Sequence, residues 1–173
     1  VLNGKISYNP FNFPILSGDF KVQDFHLNNV LLGSLQLTNY SNLTNDSLYA
    51  IGGINNGISE IVSFNAQYPL NGTKLINADL LFDNVPVEVL DPLIKPVSDL
   101  KGMFNGNLNI NGLIDSFKVN GITNAPNFQF KIPYLNMEYG NDLKIYFNED
   151  SVIVDRVKLI DLEKGTNGFF SAS

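Results

Sequence analysis

The sequence predicts an all-β protein, and three observations carry that prediction. Apolar and polar residues alternate in short runs, the period of a strand with one dry face and one wet face. Charged residues make up only 16% of the chain, against roughly 25% in average globular chains. Asparagine, serine, threonine and 14 glycines supply the missing polarity, and these residues favour turns and wet strand faces over helix surfaces. Uninterrupted apolar stretches run only a few residues, far short of the roughly 20 that a membrane-crossing helix needs. At 173 residues the chain matches one β-rich domain. It opens at Val1 without an initiator Met or a signal-like region, and reads as a piece of a larger protein.

Near the N-terminus, Phe20 and Val22 share one parity while Phe25 and Leu27 share the other. The phase slips around Gln23-Asp24, which predicts a β-bulge. Leu35 and Leu37 resume the alternation after Gly33, and Asn39 to Asn45 is polar enough for a turn or loop. Ile51-Gly52-Gly53-Ile54-Asn55-Asn56-Gly57 has the composition of a turn between strands. It makes a poor phosphate loop, because no Lys-Ser/Thr pair follows it. Residues 85–100 break the rhythm: Val89, Leu90, Leu93 and Ile94 fall at helical intervals among Pro86, Pro92 and Pro96. One or two helical turns are expected, since Pro92 and Pro96 forbid a long helix. This short helical link is also the best internal boundary, between two strand-rich halves.

The second half is the most regular. Leu108 and Ile110 alternate with asparagines between Gly106 and Gly112, and Phe128, Phe130 and Ile132 alternate with Asn127, Gln129 and Lys131. Leu135, Met137 and Tyr139 repeat the pattern after Pro133, which acts as a break or edge position. Leu143, Ile145 and Phe147 follow, and the Gly140-Asn141 link suggests a hairpin.

Charge and side-chain inventory exclude several functions. Eleven Lys and Arg against 17 Asp and Glu leave a net charge of −6, which repels phosphates and disfavours nucleic acid. With no cysteine and a single histidine, His26, disulfides, thiolate catalysis and zinc or iron clusters have no ligands. No cofactor is implied. His26 alternates with Phe25 and Leu27, so it falls on a wet face, and no Gly-x-Ser-x-Gly elbow accompanies it. The acids Asp142, Glu149, Asp150, Asp155, Asp161 and Glu163 match no calcium-loop spacing and read as solvated turn residues. Sequons at Asn39, Asn42, Asn45 and Asn71 arise by chance in an Asn-rich chain. No enzyme is expected.

Each dry strand face must be covered, because burying apolar area stabilises by roughly 25 cal/mol per Å2. Helices cannot provide that cover. The faces therefore meet across a sandwich, close into a barrel, or curl into a trough that a nonpolar ligand fills, and periodicity is the same in all three. Core packing and a greasy track for acyl chains are both open readings of the dry residues, Phe20 and Val22 among them.

A resemblance bears on that choice. Leu100-Lys101-Gly102-Met103-Phe104-Asn105-Gly106-Asn107-Leu108-Asn109-Ile110-Asn111-Gly112, followed by residues 117–121 and Ala125-Pro126-Asn127-Phe128, resembles the glycine, strand, glycine, short insert, proline, strand passage of TamB-type proteins of the AsmA-like group. Ile132-Pro133-Tyr134-Leu135-Asn136-Met137-Glu138-Tyr139, then Val157-Lys158-Leu159-Ile160-Asp161 and residues 165–169, is similar to the C-terminal region of Bacteroidetes-type members. The proline-containing link resembles the short helix that precedes this passage. The likeness covers most of residues 80–173 in order, and 16–37 more loosely.

The resemblance implies a largely antiparallel sheet curled lengthwise into a U-shaped hydrophobic trough, a β-taco. Its groove would be walled by Phe20, Val22, Leu108, Ile110, Phe128, Phe130, Ile132, Leu135, Met137, Tyr139, Leu143, Ile145 and Phe147. It further implies a parent protein anchored in the inner membrane and crossing the periplasm of a cell envelope. Such a parent shields phospholipid acyl chains on their way to the outer membrane, and touches the membrane through parts of the chain beyond this sequence. The rival reading within the family is a scaffold that docks an outer-membrane BamA-like barrel and assists assembly of surface proteins. A carbohydrate-binding sandwich is a further rival, against which weighs the mostly dry parity of the aromatics.

Overall fold

The computed structural model describes residues 2–9, 15–42, 46–70, 72–95 and 97–172; Asn45, Asn71 and Pro96 lie outside them. Twelve strands follow one another: β1 (Leu2–Asn9), β2 (Ile15–Leu27), β3 (Val30–Asn42), β4 (Ser47–Asn55), β5 (Glu60–Pro69), β6 (Leu75–Pro86), β7 (Ser98–Lys101), β8 (Met103–Leu113), β9 (Ser116–Ile132), β10 (Met137–Glu149), β11 (Ser151–Asp161) and β12 (Asn167–Ala172). They form one sheet in the order β1-β2-β3-β4-β5-β6-β8-β9-β10-β11-β12, with β7 paired to β9 beyond the end of the β8 ladder. Every pairing in this meander is antiparallel, as short connections require. The chain is all-β, as its alternation predicts.

The division into two halves is not seen. β6 pairs directly with β8 from Leu75↔Leu113 to Pro86↔Met103, so the link is an excursion between two neighbours in a continuous sheet. Nor is the link an α-helix: it contains one 3-10 turn, Val87–Leu90. Asp91 N–H donates to the Glu88 carbonyl and Leu93 N–H to the Leu90 carbonyl, at 3.1 and 2.9 Å. Both bonds reach back three residues, and Pro92 between them has no N–H to extend an α ladder.

The β2 bulge is present: register slips between Val22 and Phe25, and Asp24 takes φ 52°. Two turn expectations are displaced. Gly140 and Asn141 lie inside β10, and the hairpin forms upstream, where the 3-10 turn Pro133–Leu135 ends on left-handed Asn136. Proline starts that turn and asparagine tolerates positive φ, which makes this the lower-energy place to reverse the chain. Ile51 to Asn55 is strand, and only residues 56–59 turn, with the Asn56 side chain accepting the N–H groups of Ile58 and Ser59. Asn39 to Asn42 likewise belongs to β3; residues 43–45 lie outside the described ones.

The core is small and sits under the link. One cluster joins Leu32, Ile54, Ile61, Val85 and Val89; the other joins Val87, Leu100 and Ala125. The chain exposes 10874 Å2, whereas a compact protein of 19.2 kDa is expected to expose about 8,400 Å2. Among the described residues, buried clusters form only around the link, and a single curled sheet with most of its dry face left open produces such an excess.

Candidate functional site

Cross-strand register assembles the dry face into rows. One row runs Val22, Leu35, Ile54, Val62, Phe82, Gly106, Thr123, Ile145 and Val154, each opposite the next from β2 to β11. The adjacent row runs Phe20, Leu37, Gly52, Phe64, Leu80, Leu108, Gly121, Phe147 and Val152. Two glycines, Gly52 and Gly121, interrupt the large side chains of the second row. A Cβ on Gly52 would lie 2.7 Å from the Phe64 ring, and one on Gly121 only 2.1 Å from the Asn107 carbonyl oxygen. Period-2 patterning held in register over nine strands yields a continuous apolar wall.

The wall curls around the link. Val89 packs in one cluster with Leu32 and Ile54 and against Phe25 from the N-terminal side, while Val87 packs with Ala125 and against Phe128 and Leu143 from the C-terminal side. Two hydrogen bonds tie the link to its surroundings and a third braces it internally. Asn28 Nδ2 donates to the Val89 carbonyl at 2.6 Å, Val87 N–H to the Gly102 carbonyl at 3.1 Å, and Leu100 N–H to Asp91 Oδ1 at 3.0 Å. Val87, Val89 and Leu100 are 1–3% exposed.

Between link and wall lies a cavity of about 440 Å3. Ile54, Val62, Phe82, Thr123 and Ile145 of the first row line it, with Leu108 and Phe147 of the second. Val87, Val89, Leu90, Ile94 and Leu100 of the link line it as well. Thr123 and Asn124 are the polar residues of this lining.

Of the sequence-predicted groove residues, Leu108, Phe128, Leu143, Ile145 and Phe147 line this cavity. Phe20 and Val22 stand in the same rows farther round the curl, and Ile110 lies one step beyond Leu108, opposite Ala78 and Val119. Phe130 stacks between Phe128 and Tyr139, at centroid distances of 5.6 and 5.8 Å. Tyr139 donates its hydroxyl to the Met137 sulfur, and Met137 opposes Ile132. These four residues extend the wall on the link side. Leu135 does not belong to the wall: it ends the 3-10 turn, 41% exposed, because Pro133 starts a reversal there. The sequence reading missed the N-terminal lining (Leu27, Leu32, Ile54, Val62, Phe82) and the link's own contribution. Ile54, Val62 and Phe82 carry the same alternation, but the glycines around Ile54 read as a turn.

On the wet face, Gln36, Thr38, Asn65, Asp79 and Asn107 border a larger concavity, about 780 Å3, whose lining also includes Phe64, Leu80 and Leu108 of the second row. Its polar groups already satisfy one another in part, as where Asn109 Nδ2 donates to Asp79 Oδ1 at 2.8 Å. Tyr40 and Tyr49 stack on this face, 5.1 Å apart. His26 is exposed and its Nδ1–H donates to the Asp24 carbonyl at 2.7 Å.

Of the acids, Asp142, Glu149 and Asp161 hold local structure. Asp142 and Asp155 lie within β10 and β11 rather than in turns; Asp142 Oδ1 accepts the Asn127 N–H at the bulge. Glu149 pairs with Lys118, whose pKa this hydrogen bond raises. Asp161 is buried and accepts the N–H groups of Lys164 and Glu163 and the Thr166 hydroxyl. The Lys164 N–H chiefly holds its carboxyl below the ordinary range. Among the described residues, no three His, Cys, Asp or Glu converge as metal ligands. Comparison with family models, curated proteins and solved structures finds no match to this chain.

Proposed function

We propose that the concave face shelters the acyl chains of lipid, as one segment of a cell-envelope protein that moves phospholipid between membranes. The supporting observation is the cavity of about 440 Å3 with an almost wholly apolar lining. Each methylene transferred into such a site gains about 0.8 kcal/mol, whereas each polar group left there without a partner costs about 1–3 kcal/mol. That balance selects chains of methylenes and rejects sugars, peptides and nucleotides. Headgroups remain in water beyond the wall. The likeness to TamB-type proteins supports the wider role in the periplasm, and the apolar lining supports the acyl-chain reading.

A photocrosslinking side chain at Ile145, in the wall, is expected to capture lipid in cells. The same group at Leu81, 54% exposed on the wet face, is expected to capture none. Equal capture at both positions, or none at Ile145 in a folded protein, overturns the reading. The docking-scaffold reading is favoured by a separate feature: among the described residues, β1 and β12 are the end strands of the sheet, and such edges accept an added strand. A proline in β12 that abolishes barrel binding while leaving lipid capture intact would support that second role.

A further inference from the structure

We infer that the wet face is a second binding surface, which seats an extended, uncharged glycan strand across β3 to β8. It is independent of the acyl-chain reading, which concerns the opposite face. Cross-strand register builds two rows there. Thr38, Ile51, Asn65, Asp79 and Asn109 oppose one another in turn, and so do Tyr40, Tyr49, Gln67, Asn77 and Asn111. Asp79 alone among them carries a charge, whereas a face that only meets water is ordinarily rich in Lys and Glu. An amide side chain offers donors and an acceptor together, the complement of a sugar hydroxyl, which does both as well. Mutual bonds orient part of this set: Asn109 Nδ2 donates to Asp79 Oδ1 at 2.8 Å and to Asn77 Oδ1 at 3.3 Å, and Asn111 Nδ2 donates to Asn109 Oδ1 at 2.7 Å. Thr38, Ile51, Asn65 and Asp79 also line the concavity of about 780 Å3, with exposed Gln36 and Asn107 beside them, so the face is hollowed where its amides gather. Tyr40, 38% exposed and stacked on Tyr49, supplies an aromatic surface for the C–H face of a pyranose. Neighbouring strands lie about 4.8 Å apart, close to the length of one sugar ring, so successive strands address successive sugars. A phosphate or carboxylate finds no cation in these rows and a net charge of −6 around them. A peptide strand pairs at a sheet edge rather than on a face.

The test exposes the whole chain to an array of immobilised oligosaccharides, neutral and acidic, and then titrates the best-retained one in solution by calorimetry. Neutral, extended oligosaccharides are expected to be retained and acidic ones to be retained less. Asn65 and Asn107 are exposed, so they tolerate substitution. Asn65→Ala and Asn107→Ala should each weaken binding about fivefold, the worth of one hydrogen bond. Leu93→Ala, on the link, should leave it unchanged. No retention of any oligosaccharide, equal retention of acidic and neutral ones, or unchanged affinity in both asparagine variants overturns the glycan surface. So does a loss in Leu93→Ala as large as theirs. Lipid capture at Ile145 is read separately, and none of these outcomes alters it.

Discussion

A side chain at Gly121 has nowhere to go. An added Cβ would lie 2.1 Å from the Asn107 carbonyl oxygen, and the backbone sits at φ +147°, where L-residues are strained. Gly121→Val should cost about 3 kcal/mol in urea unfolding. Gly168→Val, where nothing lies within 4 Å of the added Cβ, should stay within about 0.5 kcal/mol. Asp161 sets a pH dependence. Its native pKa is lowered, first by the Lys164 N–H, so its contribution is complete above the ordinary carboxylate range and is lost as pH falls through the native value. Asp161→Asn should therefore be less stable than the parent at neutral pH, with the gap narrowing as pH falls through and below the ordinary carboxylate range; melting temperatures at several pH values check it. At this scale the sequence was legible where parity slips, as at Asp24, and misleading at Leu135. There, a residue two before Met137 keeps strand spacing while Pro133 has already turned the chain.

The link shows what an element costs and earns by docking across a curled sheet. Leu100 is 1% exposed inside it and Leu93 is 72% exposed upon it. Leu100→Ala should lose about 2–5 kcal/mol and Leu93→Ala no more than about 0.5 kcal/mol, in the same urea experiment. Equal small effects would mean that the link does not dock. Helical spacing in the sequence suggested that Val89, Leu90, Leu93 and Ile94 share a face. Four apolar residues within six positions meet that pattern by either an α or a 3-10 path, and Pro92 decides for the tighter one. Val87, only 2% exposed, lies outside that set because it packs with the C-terminal wall while Val89 packs with the N-terminal one. Burial on two opposite sides is a property of the curl, which local periodicity does not contain.

For the whole molecule, alternation told which residues are dry but left sandwich, barrel and trough equal. Only the pairing of every strand with its neighbour, including β6 with β8 across the link, resolves them. The same pairing leaves the wall uncovered beyond the link, and an uncovered apolar wall couples ligand to stability. A ligand that binds only the folded state adds RT ln(1 + [L]/Kd), about 2.7 kcal/mol at a hundredfold excess over Kd. For a domain of 150–250 residues each kcal/mol moves Tm by roughly 2–4 °C, so saturating fatty acid should raise Tm by about 5–11 °C. Ile145→Asp places a charge in the wall and should abolish that rise by desolvation. Leu81→Asp, on the wet face, should keep it. Loss of the rise in both variants would point to binding somewhere other than the trough. A rise retained in Ile145→Asp would show that the row from Val22 to Val154 is ordinary packing and not a surface for a guest.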